Sequence, residues 1–386
     1  MPLPEYQGNS IVNLMSSLGQ AMGITVNDYP ELTALPAQEF SESQNIVLLV
    51  IDGLGYEYLN KYGKGSALHS HCRSKITSVF PSTTATAITT FMTGLAPQQH
   101  GLTGWFTYLK ELGCITAVLP FRPRVGANTY NTDTIDIHKL YGHTPLFDLI
   151  DRDAYVVAPE WIIHSDYNVA HSGSALLHGY NSLQECFINI ESIVKKSADK
   201  KYIYAYWPDF DRYSHESGCS STRVNNHFAE LDEAFESLLQ NLQGTNSSVI
   251  VTADHGFIDT EQEKIIHIHD HPVIQDSLVM PLSGEPRTAY CYIHPDKLRS
   301  FVDYVEAELA GSVEMKTSRS LVDEGYFGTG ETHPRLFERI GHYTLVMKDN
   351  YIIKDQLAGE PPFVHIGVHG GTSAQEMYVP LILARC

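Results

Sequence analysis

Three short apolar runs that each end in a carboxylate constrain the fold of this chain most strongly. The runs are "NIVLLVID", which ends at Asp52, "KYIYAYWPDFD", which ends at Asp209 and Asp211, and "SSVIVTAD", which ends at Asp254. Continuous β-branched and aromatic residues over this length are typical of strands that are buried on both faces of a sheet. Because ligands of such sheets bind beyond the carboxyl ends of the strands, we expect these aspartates to contribute to one site.

The segments between these runs carry helical patterns. In "RVNNHFAELDEAFESLLQNL", which starts at Arg223, apolar residues recur every three or four positions until Gly244 ends the pattern. Alternating strands and helices predict an α/β fold with a mostly parallel sheet covered by helices on both faces. The pattern changes between about residues 284 and 359, and we predict a small α+β insertion or lid there, within a single domain of residues 1–386.

Composition excludes several functional classes. The net charge of −19 argues against binding of a nucleic-acid polymer, because Lys and Arg supply the affinity for phosphate backbones. The apolar runs are too short for a membrane span and the first residues lack the features of a signal peptide, so we expect a cytoplasmic protein that does not bind membranes. The six cysteines form no CxxC pair, which argues against a disulfide framework. The sequence leaves the oligomeric state open.

Aspartate and histidine recur together in short motifs, which suggests metal binding. Asp and neutral His are ligands that zinc and related divalent ions prefer. Each residue alone has a simpler explanation, since an Asp at a strand end often caps a helix and a lone His is usually just hydrogen-bonded. The set as a whole has enough donors for two metal ions: Asp52 in "IDG", Asp211 and His215 in "DRYSH", Asp254 and His255 in "ADHG", and His369 in "GVHGG".

The segment "FPSTTATAITTFMTGLAPQQHG", residues 80–101, is followed along the chain by Asp-x-x-x-His, Asp-His-Gly and His-Gly-Gly. In this order the motifs resemble the alkaline phosphatase superfamily, and most closely its type I phosphodiesterase and nucleotide pyrophosphatase branch. The resemblance implies that Thr84 is the nucleophile, because Thr84 precedes Thr93 of "TGL" by the family's interval of nine residues. We expect the neighbouring hydroxyls of Ser82, Thr83 and Thr86 to cap a helix whose first amides face a phosphate.

The resemblance also implies the metal ligands. One metal ion would bind Asp52, Thr84, Asp254 and His255, and the other would bind Asp211, His215 and His369. Two Zn²⁺ ions are expected, with Mn²⁺ as the alternative. Asp209 competes with Asp211 as a ligand, and Asp211 is preferred for its interval to His215. The resemblance further places a phosphate-binding Asn of eukaryotic members at position 87, where this chain has Ala87, so that group would be absent or supplied elsewhere.

The resemblance therefore implies a metal-dependent phosphodiesterase or nucleotide pyrophosphatase that acts through a phosphothreonine intermediate on a small phosphodiester or nucleotide-like substrate. A phosphomonoesterase of the same superfamily and a catalytically silent, metal-stabilised binding protein are the alternatives. Trp105, Phe106 and Tyr108 could stack on a nucleobase, although buried aromatic residues more often belong to the core. The His-rich segment "HIHDH" could hold a third metal, but a solvated loop is the simpler interpretation.

Overall fold

The computed structural model describes residues 2–126, 129–130, 134–360 and 365–386. A central sheet of seven strands organises this part of the chain. Six strands run in one direction, and Tyr378–Arg385 runs antiparallel to both of its neighbours. In order across the sheet, the strands are Cys72–Thr77, Tyr378–Arg385, Ser247–Thr252, Asn45–Ile51, Lys201–Trp207, Asp153–Pro159 and Leu176–Tyr180.

Helices cover the central sheet. Every residue of the strands Asn45–Ile51 and Ser247–Thr252 is buried, which requires protein on both faces of the sheet. In one group, the helix Thr84–Thr93 packs against Ile11–Ala21 and Asp166–Ser172. In a second group, the helix Thr222–Asn241 packs against Ala67–Ser70, Leu183–Lys195 and Asp209–Ser217. The structure thus confirms the predicted α/β fold with a mostly parallel sheet flanked by helices.

The helix predicted from Arg223 begins at Thr222 and ends at Asn241. It begins there because the Ser221 hydroxyl accepts a hydrogen bond from the Val224 amide and so satisfies one of the first unpaired N–H groups. Within the described part of the chain, no helix has the length and apolar character that a membrane span requires.

A second sheet of seven strands is antiparallel throughout. It joins strands from the predicted insertion to three strands between residues 106 and 123, so the segment 284–359 shares its sheet with an earlier part of the chain. That this segment is an insertion or lid stays a prediction. In order, the strands are Val313–Thr317, Tyr343–Met347, Thr288–Cys291, Ser283–Glu285, Phe106–Leu109, Cys114–Ala117 and Arg122–Pro123.

Two pairs of short strands complete the sheet structure. Ile258–Asp259 pairs antiparallel with Gly367–Val368, and Ile265–His267 pairs parallel with Ile352–Lys354. The first pair matters for the site, because it brings the segment after "ADHG" next to the segment before "HGG".

Candidate active site and metal centre

The strand register places two of the predicted aspartates side by side. Val50 lies opposite both Tyr206 and Thr252, so three neighbouring parallel strands end at the same level. Asp52 and Asp254 each follow their strand by one or two residues, and both are buried. The expected convergence of carboxylates at the carboxyl edge of the sheet is therefore present.

The other predicted ligands reach the same edge from two different elements. Asp211 and His215 lie four residues apart on the helix Asp209–Ser217, which puts them on one helical face. His369 follows the short strand Gly367–Val368, which pairs with the strand directly after the "ADHG" motif. Asp209 instead forms an ion pair with Arg212, at 2.9 Å between carboxylate and guanidinium, outside the cluster.

The first group of donors is Asp52, Asp254, His255 and Thr84. The Nε2 atom of His255 lies 3.3 Å from Oδ1 of Asp52 and 3.3 Å from Oδ2 of Asp254. The same nitrogen is 3.1 Å from the Thr84 hydroxyl oxygen. These four residues are the set that the family resemblance assigns to one metal ion.

The second group is Asp211, His215 and His369. Oδ1 of Asp211 lies 3.4 Å from Nε2 of His215 and 3.7 Å from Nε2 of His369, and the two imidazole nitrogens are 3.2 Å apart. The same carboxylate oxygen is 3.9 Å from Nε2 of His255. The two groups thus adjoin in one cluster, and the assignment of each residue to one metal ion or the other stays a prediction.

All three histidines present the same nitrogen to the cluster. Nδ1 of His215 contacts the carbonyl oxygen of Gly367 at 2.7 Å, and Nδ1 of His255 and of His369 contact other backbone carbonyl oxygens at 3.1 and 3.3 Å. A carbonyl oxygen can only accept, so each Nδ1 carries the hydrogen and each Nε2 keeps a lone pair. Metal-binding histidines are held in this way, with the distal N–H donated to a carbonyl or carboxylate group.

One oxygen of each carboxylate in the cluster lacks a hydrogen-bond partner among the described residues. Oδ1 of Asp52, Oδ1 of Asp211 and Oδ2 of Asp254 are buried and accept no hydrogen bond from any described residue. Burial, followed by repulsion from Asp254, raises the pKa of both Asp52 and Asp211 well above the ordinary range. Burial has the opposite effect on a histidine, because it disfavours the charged imidazolium. It lowers the pKa of His215 to about 3, so the imidazole is neutral at physiological pH. Carboxylate oxygens that repel one another and imidazole nitrogens that present their lone pairs to the same point fit divalent cations.

The hydroxyl-rich stretch differs from expectation. Thr83 is the N-cap residue of the helix Thr84–Thr93, but its side chain does not cap the helix. Its hydroxyl donates to Oε1 of Glu285 at 2.7 Å, and the Ser82 hydroxyl donates to the carbonyl of Gly371 at 2.8 Å. The Thr86 hydroxyl is buried without a partner among the described residues. The prediction that these three hydroxyls cap the helix is wrong, because distant parts of the chain bind two of them.

A cavity of about 350 Å³ opens beside Thr84 and the second donor group. Trp105 and Phe106 line it, whereas Tyr108 packs edge-on against Tyr292 at a centroid distance of 5.4 Å. Ala87 is fully buried in the hydrophobic core and does not line the cavity. Position 87 faces the core, and the expectation that the phosphate-binding Asn of eukaryotic members is absent here or replaced from elsewhere in the chain stays a prediction.

Sequence reasoning missed three residues of this cavity: Glu285, Lys354 and His365. His365 lies next to His215, with 4.3 Å between the ring centroids. Glu285 and Lys354 come from segments without a recognisable motif. Glu285 reaches the cavity on the second sheet, whereas Lys354 ends the short strand Ile352–Lys354. His365 lies four residues before His369 of the "GVHGG" motif. In the "HIHDH" segment His269 is exposed, and the described residues there form no metal cluster.

The sheet order and the Asp/His cluster beyond the strand ends fit the α/β fold and the ligand motifs that the sequence predicts. Murine ectonucleotide pyrophosphatase/phosphodiesterase 5 superimposes with a TM-score of 0.65 at 17% identity over 87% of each chain. Phosphonoacetate hydrolase from Sinorhizobium meliloti gives 0.62 at 17% identity, over 87% of this chain and 89% of that one. The sequence profile of the type I phosphodiesterase/nucleotide pyrophosphatase family matches residues 46–371, so the chain belongs to that family. This confirms the resemblance inferred from the motifs. No curated protein matches the chain by sequence.

Proposed function

We propose that this protein is a metal-dependent hydrolase of small phosphodiesters or nucleotide-like diphosphates that acts through a phosphothreonine on Thr84. The observation that carries the proposal is the position of the Thr84 hydroxyl, 3.1 Å from Nε2 of His255, at the edge of a cluster of unpartnered carboxylate oxygens. A hydroxyl nucleophile requires activation, and this cluster is the place where activation can occur.

Two divalent cations fit the cluster, one near Asp52, Asp254 and His255 and one near Asp211, His215 and His369. When bound, such ions supply positive charge that lowers the pKa of a hydroxyl and stabilises charge on phosphate oxygens. Zn²⁺ is the proposed ion, because the donor set mixes carboxylate oxygen with imidazole nitrogen, and Mn²⁺ is the alternative. Bound cations would also give a strongly acidic protein the local positive charge that an anionic substrate needs.

The residues of the chain have separate tasks in the proposed reaction. The Thr84 oxygen loses its proton to solvent and forms a bond to phosphorus while the bond from phosphorus to the leaving oxygen breaks, and the leaving group takes up a proton from water. Water then attacks phosphothreonine, which releases the phosphoryl product and restores the hydroxyl. Thr84 starts the helix Thr84–Thr93, so the first amides of this helix lack partners within the helix and can donate to a phosphate oxygen.

The size and lining of the cavity favour a small substrate with a flat group. Trp105 and Phe106 offer aromatic surface beside the nucleophile. An inactive variant of the murine neighbour has been solved with AMP, which fits a nucleotide-like ligand. A phosphomonoesterase is the second enzymatic candidate, and a silent binding protein is the non-enzymatic one. A cytoplasmic location remains a proposal.

A comparison of two substrates separates these functions. Hydrolysis of bis-p-nitrophenyl phosphate and of p-nitrophenyl phosphate is measured after chelation and again after addition of Zn²⁺ or Mn²⁺. We expect metal-dependent hydrolysis with a preference for the diester. A preference for the monoester would favour the phosphomonoesterase, and binding of metal without turnover of either substrate would favour the binding protein. Full activity in protein shown to be metal-free would exclude the proposed mechanism.

Thr84→Ala tests the nucleophile, and Thr86→Ala is its matched control. Both substitutions remove one buried hydroxyl from the first turn of the same helix, but the Thr86 hydroxyl contacts no described partner. We expect Thr84→Ala to lower turnover by several orders of magnitude with the fold retained, and Thr86→Ala to have little effect.

Two successive in-line displacements predict net retention at a chiral thiophosphate diester. Net inversion would mean that water attacks directly.

A further inference from the structure

Glu285 is a buried carboxylate in the cavity that neither the sequence motifs nor the proposed metal set uses. It ends the strand Ser283–Glu285 of the second sheet, and it is 8% exposed. Its Oε1 atom accepts two hydrogen bonds, from the Thr83 hydroxyl at 2.7 Å and from the Trp105 amide at 2.6 Å. Among the described residues, Oε2 accepts no hydrogen bond, so only one oxygen of the carboxylate has partners.

The contacts of Glu285 place it close to the reacting groups. Thr83 directly precedes the proposed nucleophile, and Trp105 forms part of the wall of the cavity. Glu285 lines the same cavity as Thr84 and Asp211, and its charge contributes to the raised pKa of Asp211. A phosphoryl group attacked by Thr84 must therefore lie within the electrostatic reach of Glu285.

We propose that Glu285 is a specificity-determining residue, whose negative charge disfavours phosphomonoesters relative to phosphodiesters. This inference rests on the proposed function. A monoester carries a second negative charge above a pH of about 6, whereas a diester carries one. The additional charge lies on the phosphoryl oxygen that replaces the second ester group, so Glu285 repels the monoester more strongly than the diester.

The expected size of the discrimination follows from Coulomb's law. One additional charge at about 10 Å from a carboxylate, with an effective dielectric constant of about 20, changes an equilibrium by roughly tenfold. Lys354 also lines the cavity and acts in the opposite sense. Burial lowers the pKa of Lys354 and the charge of Glu285 opposes this shift, so any loss of the Lys354 charge in a Glu285 variant acts against the expected change.

Glu285→Gln isolates the charge from the hydrogen bonds. The amide oxygen of glutamine can accept from both the Thr83 hydroxyl and the Trp105 amide, so the positions of these residues are retained while the charge is lost. Glu285→Ala removes both the charge and the oxygen that accepts the two hydrogen bonds, so it should slow hydrolysis of both substrates. Glu261→Gln changes the net charge by the same amount at an exposed position outside the cavity and serves as the control.

The experiment compares kcat/KM for p-nitrophenyl phosphate and bis-p-nitrophenyl phosphate with Zn²⁺ at pH 9, where the monoester is dianionic. We expect Glu285→Gln to raise the ratio of monoester to diester by about tenfold, and Glu261→Gln to leave it unchanged. Inhibition by inorganic phosphate, which is also dianionic, should strengthen by a similar factor in Glu285→Gln. Thermal unfolding of each variant checks that the fold is retained.

The outcomes separate this inference from the function on which it rests. If the wild type hydrolyses the diester in a metal-dependent manner and Glu285→Gln leaves both the ratio and phosphate inhibition unchanged, the role of Glu285 is refuted and the proposed function stands. If the wild type hydrolyses neither substrate with any metal, the proposed function fails and this inference fails with it. An equal change of the ratio in Glu261→Gln would refute a local effect of Glu285.

Discussion

Replacing Asp254 by asparagine should stabilise the metal-free protein while it weakens metal binding. Oδ1 of Asp254 accepts hydrogen bonds from the amides of Gly53 and His255, both at 3.0 Å, whereas Oδ2 lies in the donor cluster without a partner. An asparagine keeps both amide bonds through its oxygen. Its NH₂ group then takes the place of Oδ2 and can donate to the unpartnered oxygen of Asp52.

The size of the effect follows from the spacing of the donors. The ligand atoms of Asp52, Asp254 and His255 lie within 4.8 Å of one another. Two full charges at that separation repel by about 3 kcal/mol at an effective dielectric constant of about 20. Burial and the charge of Asp254 raise the pKa of Asp52, and proton uptake there relieves part of the repulsion. We therefore expect a gain in unfolding free energy of about 1–2 kcal/mol for Asp254→Asn in the presence of a chelator.

The dependence on pH has a defined sign. Because the pKa of Asp52 is raised in the folded state, the folded protein binds more protons than the unfolded chain between the two pKa values. The contribution of Asp52 to the stability of the metal-free wild type is therefore lost as pH rises through the folded pKa. The loss should be smaller in Asp254→Asn, because one cause of the raised pKa is removed.

Denaturant unfolding in EDTA and then in excess Zn²⁺ tests this prediction. The wild type should be the less stable protein in EDTA and the more stable one in Zn²⁺, since a ligand that binds only the folded state stabilises it in proportion to its affinity. Asp276→Asn, at an exposed position, controls for the change in net charge. The reasoning would be refuted if Asp254→Asn is less stable than the wild type in EDTA. It would also be refuted if Zn²⁺ raises the unfolding free energy of Asp254→Asn by as much as that of the wild type.

Three further predictions concern other parts of the structure. Arg287→Met should lower the unfolding free energy by about 3–5 kcal/mol in a denaturant titration, because it leaves the buried carboxylate of Glu376 without its 2.8 Å ion pair. Elemental analysis should find metal loss in Asp211→Asn but not in Asp209→Asn, and the reverse would mean that the ligand register is wrong. Burial lowers the pKa of His171 to about 4, so its contribution to stability is present above pH 6.5 and is lost as pH falls toward 4. Between pH 4 and 6.5, His171→Phe should reduce the slope of the unfolding free energy against pH by up to about 1.4 kcal/mol per pH unit. An unchanged slope would contradict the lowered pKa of His171.

The sequence predicts those parts of the site that depend on local patterns. An apolar run that stops at an aspartate indicates both the strand and its end, and parallel strands bring their ends to one edge. Asp52 and Asp254 could therefore be placed together from sequence alone. The interval of four residues in "DRYSH" selects Asp211 by its match to the family, but only the structure shows that the strand ends at Trp207 and that Asp211 and His215 share a face of the helix Asp209–Ser217.

Contacts between distant segments could not be predicted in this way. Hydroxyls near a helix start are usually caps, but Thr83 donates to Glu285, which lies 202 residues further along the chain. The second sheet makes this contact, and its short strands carry no pattern that shows which strand pairs with which. The burial of Ala87 could not be predicted either, because a position within a helix can face the core or the cleft and a motif alone does not fix that rotation.

The two kinds of buried carboxylate in this site differ in their neighbours, and this difference predicts their roles. Oδ2 of Asp254 faces other carboxylates and imidazole lone pairs, so it needs a cation. Oε1 of Glu285 already accepts hydrogen bonds from a neutral hydroxyl and a neutral amide, which partly satisfy its charge without metal. Loss of the Asp254 charge should therefore change metal content, whereas loss of the Glu285 charge should leave metal content unchanged and alter the choice between monoester and diester. Elemental analysis of Asp254→Asn and Glu285→Gln measures this difference directly, and equal metal loss in both variants would show that Glu285 belongs to the metal centre.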